Sequence, residues 1–239
     1  MKTLDLTLPT PEENLACDEA LLDHCQDSGG PELLRFWQPD RHFVVLGYSR
    51  RAGEDVRLDA CSKRGIPVLR RCSGGGTVLQ GPGCLNYSLI LRIEPGGPLR
   101  TIPRANAFIL QRQQTLFQNL LGRPVGIQGD TDLVLDGRKF CGNAQRRKQG
   151  WLLFHGSVLL NLDLPLLEEL LPIPDRQPAY RNSRPHSKFL LNLSRPGREV
   201  QNALERGWNG EGKFSSAPLG RIRKLAEERY STLNLKSQL

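Results

Sequence analysis

Asp136-Gly137 stands between two β-prone runs, Asp132-Leu133-Val134-Leu135 and Arg138-Lys139-Phe140-Cys141. A two-residue loop of this kind needs left-handed backbone, which aspartate tolerates and glycine adopts freely, and its twist matches that of the flanking strands. The dipeptide predicts a tight hairpin and commits the chain to antiparallel pairing in at least one sheet. Further strands are expected at residues 33–37 and 42–46, on either side of the turn Gln38-Pro39-Asp40-Arg41, and at 68–71, 85–91, 151–154 and 157–160. The first nine residues also alternate like a strand.

Helices punctuate these runs. Thr10-Pro11-Glu12-Glu13 has a capping threonine, a proline suited to the first turn and a glutamate at the capping-box position. That helix is expected to run to about Gln26, with Leu15, Leu21, Leu22 and Cys25 on its apolar face, and to stop at Asp27-Ser28-Gly29-Gly30-Pro31. A second helix is expected at 103–121, burying Phe108, Ile109, Leu116, Phe117 and Leu120. Residues 172–185 read as a long loop, followed by helical stretches near 199–206 and 218–230. The resulting expectation is an α+β fold over 1–239, with mixed, mostly antiparallel β-sheets flanked by helices.

The charge balance, 33 basic against 25 acidic residues for a net +8, favours an acidic partner. The basic residues are dispersed and aromatic residues make up only 6%, which argues against a stacking platform for nucleic acid. No apolar run approaches the length of a membrane span, and the N-terminus lacks the apolar centre of a signal peptide, so a cytoplasmic location is expected. The six cysteines form no C-x-x-C pair and the four histidines lie far apart. Reduced thiols are expected in place of disulfides or a zinc site.

Three stretches carry chemistry. Arg70-Arg71-Cys72-Ser73-Gly74-Gly75-Gly76-Thr77 brings three consecutive glycines behind two arginines. Successive amides in such a turn can form an anion nest, although glycine content alone favours a surface turn between strands. Next come Asp132 and Gly137-Arg138-Lys139-Phe140-Cys141-Gly142-Asn143-Ala144-Gln145-Arg146. A lysine after a hairpin is usually a solvated edge charge, but Gly142 and Ala144 clear space around Lys139, and Asp132 offers a carboxylate for a magnesium–phosphate complex. Strict alternation would place Cys141 on the face of Lys139. The third stretch is Phe154-His155-Gly156-Ser157, whose histidine, taken alone, is more often structural than catalytic.

In order, R-R-x-S-G-G-G-x-V, G-x-x-D-L, G-R-K-x-x-G-x-A and H-G-x-x-L-L-N-x-D-L resemble the lipoate–protein ligase A/octanoyltransferase family. The resemblance runs from Asn14-Leu15-Ala16-Cys17-Asp18-Glu19-Ala20 to at least Leu164. Biotin–protein ligases are more distant kin, and their G-R-G-R-x-G-R loop and K-W-P-N-D segment are missing. The resemblance implies ATP-dependent activation of lipoate or octanoate as an acyl-adenylate, with Mg, and its transfer to a lysine of an acidic lipoyl domain or glycine-cleavage H protein. Lys139 maps to the catalytic lysine. Arg70, Arg71, Ser73, Gly74, Gly75, Gly76, Thr77, Asp132, Gly142, Asn143, Ala144, Arg146 and His155 map to the acyl-adenylate/ATP pocket, with Asp132 near the metal.

Departures narrow the options. The family often reads H-D-x-G-N where this chain has Gln80-Gly81-Pro82-Gly83-Cys84, and neither position of the octanoyltransferase cysteine is filled. The ligase reading leads on that ground. Octanoyl transfer from acyl carrier protein through Cys141 or Cys84, and a non-catalytic lipoyl-domain or nucleotide-binding module, are the alternatives. The sequence also stops at Leu239, without the C-terminal domain of two-domain ligases; in some relatives that domain is a separate polypeptide, so an accessory subunit is an expected partner.

Overall fold

The expected hairpin forms, with Asp136 at φ 52° and Gly137 at φ 69°. It belongs to a computed structural model that describes residues 1–231. In chain order the elements are β1 (Lys2–Asp5), α1 (Pro11–Ser28), β2 (Leu33–Trp37), β3 (Phe43–Leu46), α2 (Ala52–Asp55), α3 (Leu58–Lys63), β4 (Val68–Arg70), β5 (Val78–Gln80), β6 (Cys84–Arg92) and α4 (Ile102–Leu121). Then follow β7 (Gly126–Gln128), β8 (Asp132–Leu135), β9 (Arg138–Lys148), β10 (Trp151–Leu159), α5 (Leu164–Leu170), a 3-10 turn (Ala179–Arg181), α6 (His186–Phe189), α7 (Gly197–Gly207) and α8 (Leu219–Arg229).

A seven-stranded sheet runs β1-β2-β6-β10-β9-β8-β7 and a three-stranded sheet runs β4-β3-β5. Among the strand pairs of the described residues, β1 with β2 and β3 with β4 are parallel and the others antiparallel, so the α+β, mostly antiparallel expectation holds. The large sheet is covered on both sides. Alternate residues of β2 divide accordingly: Leu33 and Trp37 pack with Leu21, Leu22 and Ile222 of α1 and α8, while Leu34 and Phe36 pack with Ile109, Phe117 and Leu204 of α4 and α7. The small sheet forms a third cluster with α5, joining Val44, Leu46, Val68 and Leu79 to Leu167 and Leu170.

Local chemistry explains most boundaries. Thr10 and Glu13 form the reciprocal capping box, and Gly29 ends α1 in the left-handed region at φ 63°. Three expectations need correction. The strands expected at 151–154 and 157–160 form one, Trp151–Leu159, because β10 pairs continuously with both β6 and β9 through Gly156. Phe108 is 38% exposed and lies off the buried side of α4, which is carried by Ala105, Ile109, Gln113 and Phe117. Finally, β8 and β9 are out of simple alternation: Leu133 faces Cys141 whereas Val134 faces Lys139, leaving Phe140 as an extra residue. Such a bulge re-aims the side chains that flank it. Phe140 and Cys141 both enter the core, so Cys141 does not share the face of Lys139.

Candidate active site

Between the two sheets lies a cavity of about 190 Å³. The bulge in β9 turns Lys139 toward it, and an ideal Cβ placed on Gly142 would lie 2.6 Å from Lys139 Nζ. The ammonium therefore crosses space that only a glycine leaves open. Its Nζ pairs with Asp132 Oδ1 at 2.7 Å, and the Tyr180 hydroxyl donates to Asp132 Oδ2 at 2.7 Å. Each oxygen of Asp132 thus has one partner and keeps acceptor capacity to spare. No cluster of three metal-binding side chains exists among the described residues.

The triple-glycine turn forms the facing wall. Gly75 adopts φ 90°, and a Cβ there would sit 2.9 Å from Arg71 Nη2 and 3.8 Å from the Ala144 methyl. Arg71 curls around the turn: its Nε donates to Ser73 Oγ at 3.0 Å, and its Nη2 donates to the carbonyls of Gly74 at 2.7 Å and Gly76 at 2.8 Å. Burial lowers the Arg71 guanidinium to about 10, which still leaves it cationic at neutral pH. No carboxylate forms an ion pair with it among the described residues.

Of the residues singled out from sequence, Arg71, Gly76, Thr77, Lys139, Gly142, Asn143, Ala144 and His155 line the cavity together. Asn143 is braced by Tyr87 and by its own donation to the Thr131 carbonyl at 2.7 Å. Thr77 donates to Asp55 Oδ2 at 2.6 Å. The remaining residues stand behind or beside that lining. Gly74 and Gly75 shape the turn, Ser73 is buried beneath it, and Asp132 supports Lys139. Arg70 folds away, donating to the carbonyls of Gly47, Tyr48 and Arg50 at 2.6–3.0 Å, and so braces the neighbouring loop. Arg146 sets its guanidinium 5.8 Å from the centroid of the exposed Tyr48 ring, outside the lining.

His155 sits in a chain of polar groups. Its Nε2 lies 2.6 Å from Ser73 Oγ and its Nδ1 lies 3.0 Å from Asp18 Oδ2. Asp18 in turn pairs with the fully buried Arg35 at 2.7 Å. Burial alone would raise the Asp18 carboxyl, but Arg35 and His155 outweigh it and hold the group below the usual carboxylate range.

The cavity continues between apolar walls, where Val45, Val78, Leu79, Leu159, Leu167 and Phe189 contribute. Polar groups among them satisfy one another: Gln80 donates to Ser157 at 2.5 Å, and Asn86 donates to Gln80 at 3.0 Å. Sequence reasoning did not single out Asp18, Gln80, Asn86, Ser157, Arg181 or His186 as lining residues. The available signal was Asn14, Asp18 and Glu19 on a helix whose other face is apolar; all three are buried.

None of the six cysteines lines the cavity. Burial pushes the thiols of Cys84 and Cys141 up to about 12, which suppresses the nucleophilic thiolate. The polar end of the cavity offers fixed cations for an anion, and the apolar end offers room for a hydrocarbon chain.

Known proteins resemble this chain in sequence and fold. Residues 10–201 match the family described as lipoyl protein ligase A/B catalytic domain. "Lipoate-protein ligase A subunit 1" of Thermoplasma acidophilum is 29% identical, over 95% of this chain and 93% of the relative. "Octanoyltransferase LipM" of Symbiobacterium thermophilum is 32% identical, over 72% of this chain and 69% of the relative. Among solved structures, a lipoate-protein ligase A bound with ATP superposes with a TM-score of 0.79 at 25% identity, covering 98% of this chain and 97% of the other. A bipartite lipoate protein ligase with its E2 lipoyl domain from T. acidophilum gives a TM-score of 0.79 at 27% identity, with 97% and 94% covered.

Proposed function

Because this chain belongs to the lipoyl protein ligase A/B catalytic-domain family, we propose that it is the catalytic part of an ATP-dependent ligase that joins lipoate or octanoate to a lysine of a lipoyl domain. The observation that carries this reading is the convergence of Lys139 and the Arg71-clamped glycine turn on one cavity whose walls turn apolar.

The carboxylate is a poor electrophile, so it must first become a good one. Its oxygen attacks the α-phosphorus of ATP, the bond to the pyrophosphate oxygen breaks, and an acyl-adenylate results. Negative charge gathers on the phosphoryl oxygens during that step. Lys139, released from Asp132, and Arg71 supply fixed positive charge there; removing one such donor typically costs about 3–4 kcal/mol of transition-state stabilisation. Burial of the acyl chain against Leu79, Val78 and Leu159 contributes roughly 0.8 kcal/mol per methylene. Then the acceptor lysine attacks the acyl carbon, a C–N bond forms, and AMP leaves. Magnesium would enter with the phosphates of the nucleotide, and Asp132, freed on one oxygen once Lys139 turns to the ligand, is the carboxylate that would face it.

The acceptor is proposed to be an acidic lipoyl domain or H protein, steered by the +8 charge of the chain. A separate accessory subunit is proposed as a partner, by analogy with the relative called subunit 1. Likeness to octanoyltransferases keeps acyl transfer from acyl carrier protein as the second reading, but the buried, protonated Cys84 and Cys141 favour the ligase. The test combines purified protein, ATP, magnesium and octanoate or lipoate with a lipoyl domain and follows the mass of that domain. An acyl adduct that requires ATP, with or without an added accessory subunit, supports the ligase. An adduct formed from acyl-carrier thioester alone supports the transferase.

A further inference from the structure

Resting on the acyl-adenylate reading above, we infer that Tyr180 is a positioning residue for the activation step. Its hydroxyl holds the Asp132 carboxylate in place and so lets Lys139 leave that carboxylate for the ligand.

Tyr180 reaches Asp132 on a strap that crosses the hairpin of β8 and β9. Arg184 fastens it: its Nη2 donates to the carbonyl of Gly137 in the hairpin turn at 3.0 Å and to that of Tyr180 at 2.9 Å. Further along, the Leu191 amide donates to the Lys139 carbonyl at 2.8 Å, so the strap is bonded to the very residue whose ammonium is at issue. The Tyr180 ring lies 5.2 Å from that of Phe189. Gly129, at φ 55°, makes room for the contact. A Cβ there would lie 3.3 Å from Pro178 Cβ, 3.5 Å from the Tyr180 ring and 3.8 Å from Asp132 Oδ2. Burial, with Asp132 beside it, pushes the Tyr180 hydroxyl well above its usual range, so it stays protonated and remains a donor.

Asp132 is buried and divides its oxygens, Oδ1 to Lys139 and Oδ2 to Tyr180, each at 2.7 Å. When the ammonium turns to a phosphoryl oxygen, it leaves an ionised carboxylate in a poorly solvated place. An uncompensated buried charge is costly. Tyr180 is the donor that stays, and among the described residues no other side chain donates to Asp132. Its bond is worth more to the bare carboxylate than to one neutralised by a lysine, because charge-assisted hydrogen bonds are roughly twice as strong as neutral ones. That difference lowers the cost of releasing Lys139. The same bond keeps Asp132 from following the lysine.

The test is a double-mutant cycle read as affinity for octanoyl sulfamoyl adenosine, a stable acyl-adenylate analogue that carries no pyrophosphate and undergoes no reaction. Tyr180→Phe keeps the ring against Phe189 and removes only the hydroxyl; it is expected to weaken binding on the order of 10-fold. Asp132→Asn leaves Lys139 no charge to abandon, so adding Tyr180→Phe to it is expected to change affinity less than about 2-fold. A role confined to holding the strap, or a direct contact with the ligand, would give the same loss in both backgrounds. Arg184→Ala loosens the strap at Gly137 and Tyr180 and covers the case in which Tyr180→Phe fails to fold; its loss, too, is expected to vanish in Asp132→Asn. Parental affinity in the folded single variant, or equal loss with and without Asp132, overturns the inference. If the parent protein neither binds the analogue nor exchanges pyrophosphate with ATP, the ligase reading fails instead. The same cycle is then read on acyl transfer from a thioester donor, where loss confined to the Asp132 form supports the role of Tyr180 and equal loss or none overturns it.

Discussion

Lys139 and Gly142 occupy one another's space: a β-carbon on residue 142 would lie 2.6 Å from both Cε and Nζ of the lysine. The bulge that brings them to the same side makes the glycine a requirement of the lysine's position rather than of the strand. Gly142→Ala is therefore expected to displace the ammonium from Asp132 with little effect on folding, since the obstructed atoms are the end of a flexible side chain. Ligase activity should fall at least about 10-fold while the melting temperature shifts by a few degrees at most, because surface-like rearrangements stay within about 0.5 kcal/mol.

Removing the ammonium goes further. Lys139→Ala is expected to lower ATP–pyrophosphate exchange by roughly 10²–10³-fold, the range for loss of one fixed charge-stabilising donor. Circular dichroism should be unchanged, because the lysine side chain is partly exposed and Asp132 keeps its bond from Tyr180. Exchange at the parental rate would remove Lys139 from the chemistry.

Thiol chemistry separates the two family activities. Cys84 and Cys141 are buried and protonated, so alkylation of the folded protein and Cys141→Ala should each leave acyl transfer to a lipoyl domain within about 3-fold of the parent, as expected for residues that supply no nucleophile. Loss of transfer in folded Cys141→Ala would point to a thioester intermediate.

The Asp18–Arg35 pair is a stability element as well as a support for His155. Truncating one member leaves the other buried and uncompensated, so Arg35→Ala is expected to cost about 3–5 kcal/mol, measurable by urea unfolding. The pair also sets a pH dependence. The folded-state pKa of Asp18 is lowered, so its contribution is fully present above the unfolded carboxylate value near about 4 and is lost as pH falls through the folded value. Unfolding free energies measured between neutral and acid pH should show this loss in the parent and a shallower acid limb in Asp18→Asn.

Much of this was legible in the residues themselves. The hairpin at Asp136-Gly137, the capping box of Thr10 and Glu13, and the glycine run after Arg71 are local signals, and the structure realises each of them. The face on which Lys139 falls was not legible. It depends on the bulge at Phe140, whose ring packs 5.1 Å from that of Phe117 on α4, a contact invisible to strand alternation. Asp18 was hidden for a related reason. On its helix it reads as an ordinary polar position, and only Arg35 of β2 and His155 of β10 give it partners. Arg70 and Arg146 stand off the lining, where hydrogen bonds to loop carbonyls hold the first and the Tyr48 ring faces the second; motif position alone shows neither contact.

The most direct test is a crystal structure with a non-hydrolysable acyl-adenylate analogue, an octanoyl sulfamoyl adenosine. The account predicts the acyl chain between Leu79 and Leu159, the linkage between Lys139 and the glycine turn, and Lys139 Nζ moved from Asp132 to within hydrogen-bonding distance of the linkage. An analogue bound elsewhere, or one bound in the cavity with Lys139 still paired to Asp132 and remote from the ligand, would contradict it.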